Sequence, residues 1–196
     1  MNRARPLLVL VGGAPATGKS TLAPQLAAAL GLPLLRRDVI THALYQSLDV
    51  AAHPDRQHPV LMAGFRVFYR LLADMLEAGR GVVAESNFYR GLAEAELRPL
   101  TDVAATVSIH CHTALEVSVR RFQARLERGE REWPAGDVAR LAQLRAGELP
   151  EAWARAQPLD LGVPTLRVDT TDGYVPGLEA MVEFVRRSSP GGASQR

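Results

Sequence analysis

Gly13-Ala14-Pro15-Ala16-Thr17-Gly18-Lys19-Ser20 stands between the apolar run Leu7-Leu8-Val9-Leu10-Val11 and the helix-forming stretch from Thr21 to Leu30. The octapeptide reads G-x-x-x-x-G-K-S, a pattern whose backbone N–H groups cradle phosphates. In that pattern the lysine reaches the β/γ-phosphates and the serine hydroxyl ligates Mg²⁺. Lys19 is the one lysine of the chain, and every other strongly basic side chain is arginine. Where arginine is used so freely, a surviving lysine marks a place that needs a compact point charge.

The flanks agree with this reading. Five consecutive apolar residues suit a parallel strand buried on both faces. Leu22, Leu26 and Leu30 form one stripe of a following helix, which Gly31 stops. Pro24 is expected close enough to the helix start for its missing N–H to cost little. Strand, glycine loop and helix N-terminus together aim unpaired N–H groups and a helix dipole at an anion.

At 196 residues the chain is expected to form one domain over 1–187, with 188–196 as a tail of Ser, Pro and Gly. A formal net charge of +2 does not favour a nucleic-acid or membrane surface. The lone Cys111 allows no internal disulfide framework, which fits a reducing cytoplasm. Residues 1–6 lead straight into the first apolar run, so no signal peptide is expected, and no apolar run is long enough to span a bilayer.

Strand and helix patterns alternate along the chain, the signature of a parallel α/β sheet. Strands are expected at 7–11, 32–36, 81–85, 104–111 and 166–169. Helices are expected at 39–48, 60–78, 92–98, 114–128 and 176–187. Residues 49–59 read as an irregular excursion, and 129–149 as short helical pieces between Gly, Pro and charges. Phe65, Phe68 and Tyr69 read as helix core rather than a base-stacking platform.

Asp38 and Glu85 fall at the carboxyl ends of the second and third strands, where ligands gather in open α/β sheets. A carboxylate there can take a proton from an attacking hydroxyl or hold Mg²⁺, directly or through water. Asp38 could equally cap the next helix, and Glu85 could pair with Arg90. Arg121, Arg125 and Arg128 recur at spacings of four and three, one helical face, opposite Leu115, Val119, Phe122 and Leu126. Arginines on a closing lid neutralise the charge of a transferring phosphoryl group; a solvated basic face interleaved with Glu127 and Glu130 is the other reading. Arg131 follows in the next segment. His110-Cys111-His112 is rejected as a metal site, because strand alternation sends the histidines to one face and the cysteine to the other.

Residues 12–21 are similar to the phosphate loop of the P-loop kinases that include polynucleotide 5′-kinase domains, zeta toxins and chloramphenicol phosphotransferase. Arg37-Asp38 resembles their strand-end motif, whose Asp deprotonates the acceptor hydroxyl. The block from Leu76 to Phe88 resembles their helix–glycine–strand segment, with Glu85 in place of the usual Asp. The run Arg121 to Arg128 is similar to the lid helix, and Val168-Asp169-Thr170-Thr171 resembles the loop near the adenine. Thr41 stands where polynucleotide kinases carry an arginine, which argues against a nucleic-acid end as acceptor. The resemblance covers nearly the whole chain. It implies a three-layer P-loop NTPase fold of nucleoside-monophosphate-kinase type, with a five-stranded parallel sheet, a helical lid at about 121–149, and ATP·Mg²⁺ as donor.

The expected function is therefore transfer of phosphate from ATP to the hydroxyl of a small molecule or nucleotide-type acceptor. Lys19 and the loop amides would hold the β/γ-phosphates, Ser20 with Glu85 or Asp38 would hold Mg²⁺, and Asp38 would be the base. Arg125, helped by Arg121 or Arg128, would neutralise charge. An acceptor-independent ATPase or switch is the alternative, and a non-catalytic nucleotide-binding module a third reading. Residues 41–62 and 86–99 are expected to line the acceptor pocket.

Overall fold

The computed structural model describes residues 5–129 and 134–189. Arg131 and the tail beyond Ser189 lie outside them. The sheet comprises β1 (Leu7–Gly13), β2 (Leu34–Arg36), β3 (Val82–Glu85), β4 (Ala105–His112) and β5 (Thr165–Asp169). Its order is β2-β3-β1-β4-β5, and every pair is parallel. Among the described residues eight α-helices connect and follow the strands: α1 (Lys19–Leu30), α2 (Arg37–Ser47), α3 (Gln57–Glu77), α4 (Ala93–Val103), α5 (Leu115–Glu127), α6 (Pro134–Arg145), α7 (Glu151–Ala154) and α8 (Leu178–Ser188).

Alternation along β1 divides the core between two faces. Val9 and Val11 pack with Leu22 and Leu26 of α1 and with Met181 and Val185 of α8. Leu8 and Leu10 pack with Phe68 and Leu72 of α3 and Leu97 of α4. These side chains are fully buried or nearly so, and each contributes roughly 1.5–3 kcal/mol on leaving water. A strand covered by helices on both sides has no polar face to show, which is why β1 reads as an unbroken apolar run.

The strand order places the site. After β1 the chain crosses to the edge at β2, returns to β3, then passes to β4 on the other side of β1. The crevice at the carboxyl end of β1, between β3 and β4, is the switch point at which ligands bind in such sheets.

Several boundaries differ from expectation. α2 follows β2 with no intervening loop, so Asp38 lies inside the first turn of the helix, and Arg36 occupies the cap position. α1 begins at Lys19, which puts Pro24 in its second turn, where it removes an intrahelical bond rather than sitting among the unpaired N–H groups. α4 continues through Pro99 to Val103, because Leu97 and Leu100 on either side of the proline are both buried. Residues 54–56 of the irregular excursion form a single 3-10 turn leading into α3.

Candidate functional site

The turn from β1 into α1 is shaped by three residues with positive φ: Gly13 at 145°, Ala16 at 59° and Gly18 at 77°. β1 and β4 remain paired as far as Gly13 opposite Cys111. A Cβ on residue 13 would collide with the Cys111 carbonyl and lie 2.8 Å from Thr17 Oγ1, so only glycine fits. Inside the turn the Ala14 carbonyl is a hub. It accepts hydrogen bonds from Thr17 Oγ1 at 2.8 Å and from Lys19 Nζ at 3.2 Å. Lys19 is only 5% exposed, folded over the loop at the first position of α1.

Ser20 donates a hydrogen bond to Glu85 Oε1 at 3.0 Å. The contact follows from strand register: Val11 pairs with Glu85, so the end of β3 stands beside the loop that leaves β1. Glu85 is buried, whereas Arg90, its partner in the alternative reading, is exposed. Arg36 stands opposite Glu85 in the register of β2 with β3, and Asp38 lies just beyond it in the first turn of α2. Asp38 Oδ1 accepts from Arg37 Nη2 at 2.7 Å, and its side chain stays 40% exposed. Arg37 is buried, with its guanidinium 4.7 Å above the ring of Phe65. Phe65 thus supports a cation, while Phe68 of the same aromatic group occupies the core.

Opposite the loop, Arg121, Arg125 and Arg128 line one cavity of about 450 Å³ together with Lys19, Ser20 and Thr21. The three arginines do different things. Arg121 Nη2 donates to the carbonyls of Thr170 at 2.9 Å and Thr171 at 2.7 Å, fastening α5 to the loop after β5. The Arg125 guanidinium lies 5.7 Å from the Phe122 ring centre. Arg128 ends α5 at its C-cap. Thr170 is itself anchored, its N–H and Oγ1 both donating to the His112 carbonyl at 2.9 and 3.1 Å.

Tyr174 and Gly173 complete the wall of the cavity and were not expected from sequence. Tyr174 donates to the Gly18 carbonyl at 3.4 Å, and burial raises its phenol above the ordinary value, keeping it protonated. The apolar face of α5 also differs from expectation: Leu115 is exposed, and Ser118 is buried beside Phe122. Cys111 belongs to the core under α1 and α8, where burial pushes its thiol up to about 12. Among the described residues no group of three or more His, Cys, Asp or Glu side chains could hold a metal. A cation at Ser20 and Glu85 would have a short set of hard oxygen donors, of the kind Mg²⁺ uses when phosphates and water supply the rest.

The family profile described as "AAA domain" matches residues 8–150. Among solved structures, a candidate kinase from Chloroflexus aurantiacus is 30% identical, with a TM-score of 0.77 over 97% of this chain and 99% of that one. A gluconokinase from Sinorhizobium meliloti is 19% identical with a TM-score of 0.56, covering 96% of each chain. The Mycobacterium tuberculosis APS kinase in complex with AMPPNP and APS is 18% identical with a TM-score of 0.53, over 94% of this chain and 97% of that one. No protein with a curated description matches. Among the described residues no helix is long and apolar enough to cross a membrane.

Proposed function

Because this chain belongs to the AAA domain family and has a small P-loop kinase fold, we propose that it transfers the γ-phosphoryl group of ATP to a hydroxyl of a small-molecule acceptor. The observation that carries the reading is the single cavity in which Lys19 and Ser20 face Arg121, Arg125 and Arg128. Phosphoryl transfer spreads negative charge over the γ-phosphoryl oxygens, and donors already in position stabilise that charge without reorganising. Hydrolytic switches commonly take such an arginine from a partner; here it is supplied within the chain.

In this reading Lys19 and the backbone N–H groups of the loop hold the β/γ-phosphates. Thr170 and its neighbours border the base. Ser20 and Glu85 offer the oxygens for Mg²⁺, with Asp38 further out, and the ion when bound offsets charge on the phosphate oxygens. Asp38 accepts the proton of the acceptor hydroxyl as that oxygen bonds to the γ-phosphorus. The bond from phosphorus to the β,γ-bridging oxygen breaks, and ADP leaves. Partial exposure leaves the Asp38 carboxylate, oriented by its pairing with Arg37, reachable by an acceptor hydroxyl. Net charge favours a small acceptor over a nucleic-acid end.

The test is transfer of label from γ-labelled ATP to a panel of small polyols, sugars, nucleosides and oligonucleotides. Label in a small hydroxyl compound is the expected result. Label only in inorganic phosphate, at a rate no acceptor changes, would point to an ATPase instead.

A further inference from the structure

Ser118 is 1% exposed and bonded on both sides. Its hydroxyl donates to the Pro15 carbonyl at 2.7 Å and accepts from Trp153 Nε1 at 2.7 Å. The three residues come from the phosphate loop, from α5 and from α7. Around them Phe122 and Trp153 meet edge to face at 5.1 Å, and Ala14, Ala16, Leu126, Leu141 and Leu144 pack against the pair. The outer wall of the phosphate loop is therefore the root of the arginine-bearing helix and the segments that follow it.

We propose that Ser118 and Trp153 are positioning residues for the phosphate loop, acting through the Pro15 carbonyl to aim the Ala16 amide at a bound polyphosphate. This rests on the kinase reading for the identity of the ligand. A trans peptide is planar, with its C=O and N–H pointing opposite ways. Holding the Pro15 carbonyl on Ser118 therefore fixes the direction of the Ala16 N–H, and Ala16 lines the cavity together with Lys19 and Ser20. Ala16 has φ 59°, a conformation that a residue with a Cβ keeps only when its surroundings impose it. The hydroxyl of Ser118 can rotate, and the Trp153 N–H removes that freedom by occupying its acceptor side, leaving its proton to point at Pro15.

The experiment measures equilibrium binding of ATP and of adenosine to the full chain and to Ser118→Ala and Trp153→Phe, with melting curves for each. Ser118→Ala is expected to weaken ATP about tenfold, the size of one lost hydrogen bond, with adenosine changed less than twofold. Trp153→Phe keeps a ring beside Phe122 and is expected to weaken ATP about threefold, again sparing adenosine. A purely structural role would weaken both ligands together; that outcome, or unchanged ATP binding, overturns the proposal. If Ser118→Ala does not fold, the same comparison on Trp153→Phe decides. Wild-type chain that binds ATP without transferring phosphate would overturn the kinase reading alone, whereas folded Ser118→Ala that binds ATP normally would overturn this proposal alone.

Discussion

Ser20 and Glu85, 65 residues apart in the chain, are joined by a 3.0 Å hydrogen bond from the serine hydroxyl to the carboxylate Oε1. The bond links the first turn of α1 to the end of β3, and in the proposed function it pairs the two oxygens that would hold a cation beside the phosphates. Glu85→Gln keeps the shape and can still accept from Ser20, but it removes the charge. Melting temperature is expected to shift by only a few degrees, while the Mg²⁺ concentration for half-maximal phosphotransfer rises about tenfold and the rate falls on the order of a hundredfold. An unchanged magnesium requirement would remove Glu85 from the cation site.

Lys19→Arg tests why the one lysine of the chain stands in the phosphate loop. The lysine is buried and reaches the Ala14 carbonyl across the loop. A planar guanidinium is wider and donates in a fixed fork, so it cannot occupy that space. Phosphotransfer is expected to fall on the order of a thousandfold, measured with ATP saturating; near-normal activity would mean that the lysine is merely an accident of composition.

The cavity arginines are expected to separate into two roles by kinetics. Arg121 is held by two carbonyls of the loop after β5, so Arg121→Ala is expected to raise KM for ATP about tenfold with kcat within about threefold. Arg125→Ala is expected to lower kcat on the order of a hundredfold with KM nearly unchanged, as for a donor used in the transition state. The reverse pattern in steady-state kinetics would exchange the assignments.

The phosphate loop, its strand and its helix were legible because their determinants are local: the glycines, the lysine and an apolar run all lie within residues 7–30. The five strands were legible for the same reason, β1 to β3 as short apolar runs and β4 and β5 as alternating patterns between turn signals. What escaped was set by distant contacts. Ser118 on an otherwise apolar helix face makes sense only beside Pro15, 103 residues away. Arg121 was grouped with its helical neighbours because its partners are backbone carbonyls, which no side-chain pattern reveals. The early start of α2, which takes Asp38 from a strand end into a first turn, reflects the direct continuation of β2 at Arg36 into the helix at Arg37.

His110 supplies a pH dependence of stability. It is 5% exposed, and burial, then the charges of Arg167 and His112, lowers its pKa from 6.5 to about 4. Between those values the unfolded chain binds a proton that the folded chain refuses. Stability therefore falls as pH drops from 6.5 toward 4, and this component is flat above 6.5. The difference over the whole window amounts to about 3 kcal/mol, of which about 2 kcal/mol is lost by pH 5. Urea unfolding at pH 7 and pH 5 is expected to differ by that much more in the wild type than in His110→Gln. Equal pH sensitivity in the two proteins would assign the effect to other groups.

Asp38, in the proposed function, removes a proton from an acceptor hydroxyl while the loop holds ATP. Its most direct test is Asp38→Asn, assayed for both ATP affinity and label transfer to the acceptor. ATP binding is expected within about threefold of wild type, with transfer reduced on the order of a thousandfold. Transfer at a near wild-type rate with ATP binding intact would contradict it.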